Sequence, residues 1–433
     1  AGWTKTLVNN QPAIWVLKIN QFGDTLWTRA ITTAPYGPQA YAVAPSHDGG
    51  CVVTGDSFQD SSFALKLSSS GDIVWWKSYG VGGSNARRAC FDIVKTLDDG
   101  FILCGVELSP YGSYGYILRI DPQGNLMWQR VYWNLGGGRV FASIIEHDGY
   151  FIVCGSRILD NISRASIAKF DTLGGIIWEK NYLIDNKDAG TKSVSVTNSG
   201  YLIGGQALWN VYTESFFIKT DFEGNLYFTK LFPPQNSASE YGDLKIINHN
   251  RYVISITIDS QAYPIVYKIR NMITDSSGNI VHEGIFSNGG EDKFYSILPL
   301  PNGDIIFTGR TEPPNSAYSD VYAIRTDSML IAPPIGIKPV NNEVPVSIKL
   351  YQNYPNPFNS STHVRFDINE YSENVKIVIY DILGRQIDVL VDQPLSAGSY
   401  DITWNAAGFS SGIYICRLFF NGTAHSSKML SIK

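Results

Sequence analysis

The chain has 433 residues, 44% of them apolar and only 17% charged, which is enough material for a large core. Its net charge of −5 and the lack of any Lys/Arg cluster exclude the electrostatic footprint of a nucleic-acid binder. Aromatics at 13% and 40 glycines suit short strands joined by tight turns, and no run of about 18 apolar residues predicts a transmembrane helix.

Ala1-Gly2-Trp3-Thr4 has neither the basic nor the apolar region of a leader, and the rest of the chain leads us to expect one already removed. A repeat of about 50 residues then runs along the chain. Glycine, then a polar or small residue, then an apolar stretch ending in an aromatic recur as Gly23-Asp24-Thr25-Leu26-Trp27 and Gly71-Asp72-Ile73-Val74-Trp75. Further copies stand at Gly124–Trp128, Gly174–Trp178 and Gly224–Phe228, with a degenerate one at Gly278. In phase with these, Asp48-Gly49, Asp99-Gly100, Asp148-Gly149, Ser199-Gly200 and Asn302-Gly303 separate apolar runs. Such pairs tolerate the positive φ of a hairpin turn. A third strand, such as Phe63-Ala64-Leu65-Lys66-Leu67 or Tyr116-Ile117-Leu118-Arg119-Ile120, precedes each Gly-aromatic segment in seven copies. Nearly all of these carry one cation, expected at a strand edge or in solvent.

Each unit reads as a four-stranded up-and-down sheet that cannot bury both faces alone. Packing such sheets about an axis predicts an all-β fold, a β-propeller of about seven four-stranded blades. Six is the alternative if residues 1–19 are an appendage. The first blade is incomplete, and the chain near 328–340 is expected to supply its missing strand. The motif Asp121-Pro122-Gln123-Gly124-Asn125-Leu126-Met127-Trp128 resembles that of quinoprotein-type propellers, over roughly residues 1–330, and implies the fold alone.

Trp27, Trp75, Trp128 and Trp178 recur regularly and are expected between blades. Tyr111, Tyr114, Trp133 and Trp209 break the repeat and are the candidate ligand-facing aromatics. Cys51, Cys90, Cys104, Cys154 and Cys416 read as thiols that pack as small hydrophobes, without zinc spacing. His47 and His147 precede equivalent turns and read as turn features. The turn aspartates stand singly, below the density that calcium favours. No nucleophile elbow, metalloprotease helix, phosphate loop or dinucleotide fingerprint occurs, so no catalytic residue, metal site or cofactor is expected.

Four prolines between Ala332 and Pro345 mark a stiff linker. The expected organisation is a propeller over 1–331, a linker over 332–348 and a small Ig-like β-sandwich over 349–433. Within the last segment come Tyr354-Pro355-Asn356-Pro357-Phe358, then Tyr380-Asp381-Ile382-Leu383-Gly384-Arg385, then Gly398 with Trp404. Gly412-Ile413-Tyr414 and Lys428-Met429-Leu430-Ser431-Ile432-Lys433 follow. In content and order these motifs resemble the type A C-terminal sorting domains of the type IX (Por) secretion system. The resemblance implies export to the cell surface or the medium, with the secretion machinery as a partner and surface lipopolysaccharide as an attachment point.

The reading as a whole is a non-enzymatic binding or structural propeller. It has two further expected partners: a glycan, and other copies of itself, with the sandwich of one copy docked on the propeller of the next. The competing reading is a carbohydrate-binding or carbohydrate-active propeller enzyme with acids converging where blades meet.

Overall fold

Alternation within single strands decides how the sheets assemble. In the strand Phe101–Ser109, Phe101 and Leu103 pack into a core shared with the preceding sheet. Ile102 and Cys104 pack into a core shared with the following one. Successive side chains point to opposite faces, so a continuous apolar run produces a sheet that must be covered twice. The computed structural model describes residues 2–8, 11–20, 25–32, 38–57, 61–80, 86–133, 137–209, 212–232, 239–248, 250–259, 267–287, 291–312, 320–330, 337–341, 345–395 and 397–432.

Seven antiparallel sheets follow one another in chain order, each up-and-down. Sheets 2 to 6 have four strands each, within 39–79, 87–132, 139–182, 189–232 and 239–286. Sheets 1 and 7, within 2–31 and 291–326, have three strands each among the described residues, sheet 1 being the incomplete one expected from the sequence. Among the described residues, five separate apolar cores lie between consecutive sheets from 1 to 6. The first strands of these sheets lie against one another and form a hub, with the later strands lying progressively outward. This is a β-propeller, and the fold is all-β.

The outer strands of sheets 1 to 4 are each fastened to the next sheet by one repeated clamp. The turn, Asp-x-x-Gly in three copies and Ser68-x-x-Gly71 in one, holds its glycine at positive φ: Gly71 at 86°, Gly124 at 78°, Gly174 at 78° and Gly224 at 75°. Over each glycine lies the tryptophan of the preceding sheet, namely Trp27, Trp75, Trp128 and Trp178. A Cβ on Gly124 would stand 2.9 Å from the Trp75 ring. Four residues beyond the tryptophan a tyrosine hydroxyl donates to the same glycine's carbonyl: Tyr79 to Gly124 at 2.7 Å, Tyr132 to Gly174 at 2.7 Å and Tyr182 to Gly224 at 2.5 Å. The recurring tryptophans are therefore blade-to-blade packing residues, as their period suggested.

The strand expected to complete sheet 1 goes elsewhere. Ile337–Asn341 pairs antiparallel with Gly398–Asn405, with Ile337 opposite Ile402, and so joins the C-terminal sandwich. The strand Gly398–Asn405 otherwise presents an unpaired edge, which this nearby segment fills. That sandwich has one sheet in the order Ile337–Asn341, Gly398–Asn405, Ser361–Ile368, Lys349–Leu350. The other runs Gln386–Leu395, Ser372–Asp381, Gly412–Phe420, Thr423–Ser431. Val364, Phe366, Ile377, Ile379, Trp404 and Leu418 fill the space between them. By their contacts, residues 1–298 with 307–323 form one compact unit, and 299–306 with 324–433 form another.

Two substitutions separate the clamp from simple backbone strain. Gly149 also has positive φ, at 74°, but nothing lies within 4 Å of its absent Cβ. Gly149→Ala is expected to cost ~1 kcal/mol from φ alone. Gly124→Ala adds a collision with Trp75 and is expected to cost ~3 kcal/mol. Urea unfolding midpoints of the two variants measure the difference.

Candidate functional site

In three sheets the repeated cation meets an aspartate of its own sheet's hairpin turn, which is the residue of the Asp-Gly pair only at Asp48. Lys66 donates to Asp48 at 2.9 Å, Arg119 to Asp98 at 2.6 Å, and Arg325 pairs with Asp304. In these three sheets the cation, expected at a strand edge or in solvent, is held by a turn; the Lys66 side chain is 8% exposed, whereas Lys268 of sheet 6 is exposed. A buried ammonium is tolerable only beside a countercharge, and the hairpin turn of the same sheet provides it. The hydroxyl of Ser46 and the ammonium of Lys66 hold the Asp48 carboxyl well below its usual range. Thr96 and then Arg119 do the same for Asp98. His147 stacks on Phe222 at 5.2 Å, a packing role at its turn. All five cysteines are free thiols, and burial pushes Cys90, Cys154 and Cys416 up to about 12.

A depressed carboxyl contributes stability that is present above its unfolded pKa, near 4, and lost as pH falls toward the folded value. The stability of the protein is therefore expected to drop below about pH 4. Lys66→Met should be less stable at neutral pH and should show a shallower acid loss, as measured by denaturant midpoints across pH.

At the hub the fold assembles charges that are far apart in sequence. Asp92 Oδ2 accepts from Ser143 Oγ at 2.8 Å and Ile144 N at 2.9 Å, both in the next sheet. Its Oδ1 accepts from Ile93 N at 2.8 Å. Asp243, one hundred and fifty-one positions further along at a matching place in sheet 6, accepts from Leu244 N at 2.7 Å and from Ile297 N of sheet 7 at 3.0 Å. Lys245 lies 3.5 Å from Asp243. Burial raises both carboxyls, while Asp243 and Asp92 raise the Lys245 ammonium against its own burial. These acids staple one inner strand to the next. No local motif marks them, because their partners are backbone amides about 50 residues away in the next blade.

The two ends of the propeller differ. Turns joining first to second and third to fourth strands lie at one end and repeat the same chemistry. Hairpins joining second to third strands lie at the other, and there the repeat breaks. Sheet 4 has Asp160-Asn161, both at positive φ, whereas sheet 3 has the hairpin Ser109–Gly112 with Tyr111 88% exposed. Tyr114 and Trp133 meet on this sheet with ring centroids 4.7 Å apart, and Trp133 is 63% exposed. Trp209 ends a strand at the same end, in sheet 5, and its side chain lies outside the described residues.

In the sandwich, distant motifs converge on one end of one sheet. Asp381 pairs with Tyr414, and Ile413 with Leu430. Phe358 N donates to Leu430 O at 3.0 Å, and Ile432 N to Phe358 O at 2.9 Å. Asn356 Oδ1 accepts from Leu430 N at 2.9 Å, and its Nδ2 donates to Lys428 O at 3.2 Å. Phe358 is buried against Trp404, whose ring meets Tyr414 edge-on at 5.1 Å. The Tyr414 hydroxyl donates to Ser410 O at 2.6 Å. Asp381 repeats the blade turn: it accepts from Leu383 N and Arg385 N at 2.9 Å, with Gly384 at a φ of 76°. The Arg385 side chain closes that turn at 2.7 Å from Asp381. Pro355 O accepts from Asn353 and Thr362; Pro357, Ile382, Leu383 and Tyr354 are exposed. Gly398 and Gly412 each open a strand, and Lys433 lies outside the described residues.

Residues 352–433 match the family model described as a secretion system C-terminal sorting domain. The chain carries a Por-type sorting domain. A domain of this type marks proteins secreted by the type IX system, so the destination is the cell surface or the medium, and the secretion machinery is a partner. No match is found among curated proteins. Among solved structures the chain is similar to the subtype N10 neuraminidase-like protein of A/little yellow-shouldered bat/Guatemala. That likeness has 14% identity and a TM-score of 0.41, over 68% of this chain and 93% of that one. It is also similar to beta-1,2-mannobiose phosphorylase from Listeria innocua, at 6% identity and a TM-score of 0.34, over 69% of this chain and 93% of that one. Likeness at this level carries no argument about ligand or chemistry. No helix is long and apolar enough to cross a membrane among the described residues.

In the sorting domain, Asn356→Ala is expected to speed hydrogen exchange at the Leu430 amide while sparing Ile432, whose amide bonds to Phe358 O. Exchange measured peptide by peptide over 423–433 checks this.

Proposed function

We propose that the protein is a non-enzymatic binding and structural propeller of the cell surface or medium, which associates with further copies of itself through its outer strands. The observation that carries this reading is an apolar rim. In sheets 2 to 6 the outer strand opens on an exposed apolar pair: Ile73-Val74, Leu126-Met127, Ile176-Ile177, Leu226-Tyr227 and Ile280-Val281. Leu26 holds the same place in sheet 1, and all these side chains are 42–56% exposed. An outer strand has one unpaired backbone edge, and where it projects past its neighbours both its faces are uncovered. Five such pairs at a fixed period suit a partner with the same period, and a second copy has it. One pair is too small for a stable interface of about 800 Å² per partner, so several must engage together.

The non-enzymatic part of the reading is supported by how the acids are used. Asp92 and Asp243 are occupied by amides of the next sheet, and the turn aspartates by their own turns or cations. A carbohydrate-active reading needs a carboxylate pair facing an open site, with one member free to move a proton.

Sedimentation velocity of the intact chain is expected to show concentration-dependent association. The triple variant Val74→Glu, Met127→Glu, Ile177→Glu should sediment as a monomer. A wild-type chain that stays monomeric at high concentration sinks the association. Glycoside turnover that disappears in Asp92→Asn or Asp243→Asn sinks the non-enzymatic reading.

A further inference from the structure

We infer that the outer tip of sheet 3, formed by Tyr111, Tyr114 and Trp133, is a stacking platform for the pyranose rings of a polysaccharide. The inference rests on the binding reading but not on the apolar rim. The other motif tryptophans lie on glycines of the next sheet; Trp133 stands beyond that repeat, one residue past the clamp tyrosine Tyr132. It comes to rest against Tyr114 of the adjacent strand, with the two rings tilted by 35°.

The platform is held in place before any ligand arrives. The Tyr114 hydroxyl donates to Tyr111 O at 3.1 Å, and Tyr111 N donates to Ser109 Oγ at 3.2 Å. The hairpin tip is thus tied to the ring beneath it. Below, in the same cross-strand row, Glu107 pairs with Tyr114 in register and is locked to Arg88 by a buried bond of 2.8 Å. Such anchoring lowers the ordering cost of binding. Beside the tip, Gly138, just before the first strand of sheet 4, stands close to Ser113, where any Cβ would come within 2.7 Å of the hydroxyl.

The chemistry of the ligand follows from the shape. Exposed aromatic faces carry negative charge density and attract the weakly positive C–H groups on the apolar face of a sugar ring. Tyr and Trp also supply contact area at small cost in side-chain entropy. Three rings at a hairpin tip cover far less than a protein interface of about 800 Å² per partner requires. They match one or two sugar units lying flat. A single contact of this kind is weak, and a repeating polymer offers many copies of it, so avidity suits a chain shown on a surface.

The test is affinity electrophoresis of the intact chain in native gels holding mixed-linkage β-glucan, xylan or yeast mannan. The variants are Trp133→Ala, Tyr111→Ala and, as a control at the opposite end of the sheet, Leu97→Ala. The wild type and Leu97→Ala should be retarded by at least one polymer, and Trp133→Ala and Tyr111→Ala should lose about tenfold in affinity. Circular dichroism confirms that each variant folds. Retardation by none of the three polymers, or retardation that Trp133→Ala leaves intact, overturns the inference. The triple rim variant in the same gels separates the two readings: it should lose association and keep its intrinsic retardation per chain.

Discussion

The propeller depends on a glycine that sits beneath a tryptophan of the neighbouring sheet. The turn needs that glycine for its positive φ, and the indole needs it because any Cβ would occupy the contact. The same residue thus ends one hairpin and seats the next sheet. A tyrosine hydroxyl on its carbonyl fixes the depth of contact. Because each clamp joins only consecutive sheets, stability is expected to accumulate sheet by sheet, as in other repeat architectures.

This arrangement divides the molecule by chemistry. At the clamp end, aspartates, cations, tryptophans and glycines serve one another, and their repetition leaves little freedom for recognition. At the opposite end the hairpins between second and third strands carry no such duty. There the residues diverge from sheet to sheet, and the aromatic tip of sheet 3 stands out against the Asp160-Asn161 turn of sheet 4. Loops freed from packing on a rigid scaffold are where binding is usually found.

The sandwich uses the same local device for a different purpose. Its Asp381-Ile382-Leu383-Gly384-Arg385 turn is bonded as the blade turns are, but nothing lies over Gly384, and Ile382 and Leu383 remain exposed. A turn that fastens sheets in the propeller is left free in the sorting domain. Asp381 pairs with Tyr414, whose strand pairs in turn with the last one, and the segment 354–358 is knitted to that last strand by main-chain and Asn356 bonds.

Much of this was legible from residue order. The period of about 50, the Gly-aromatic segments and the Asp-Gly turns are local signals, because φ at a turn and side-chain alternation are set within a few residues. They led to seven sheets, to the packing role of Trp75 and Trp128, and to the motifs of the sorting domain. Pairings between residues about 50 or more positions apart were not legible. No local rule says that Asp92 answers Ile144, that residues 337–341 complete the sandwich rather than sheet 1, or that Phe358 lies beside Leu430. Nor could the apolar pairs at the start of the outer strands be told from core residues, since burial depends on what covers a strand and not on the strand itself. The sequence by itself determined the units; the tertiary structure decided which edges, charges and faces those units leave open, because that depends on neighbours brought together only by folding.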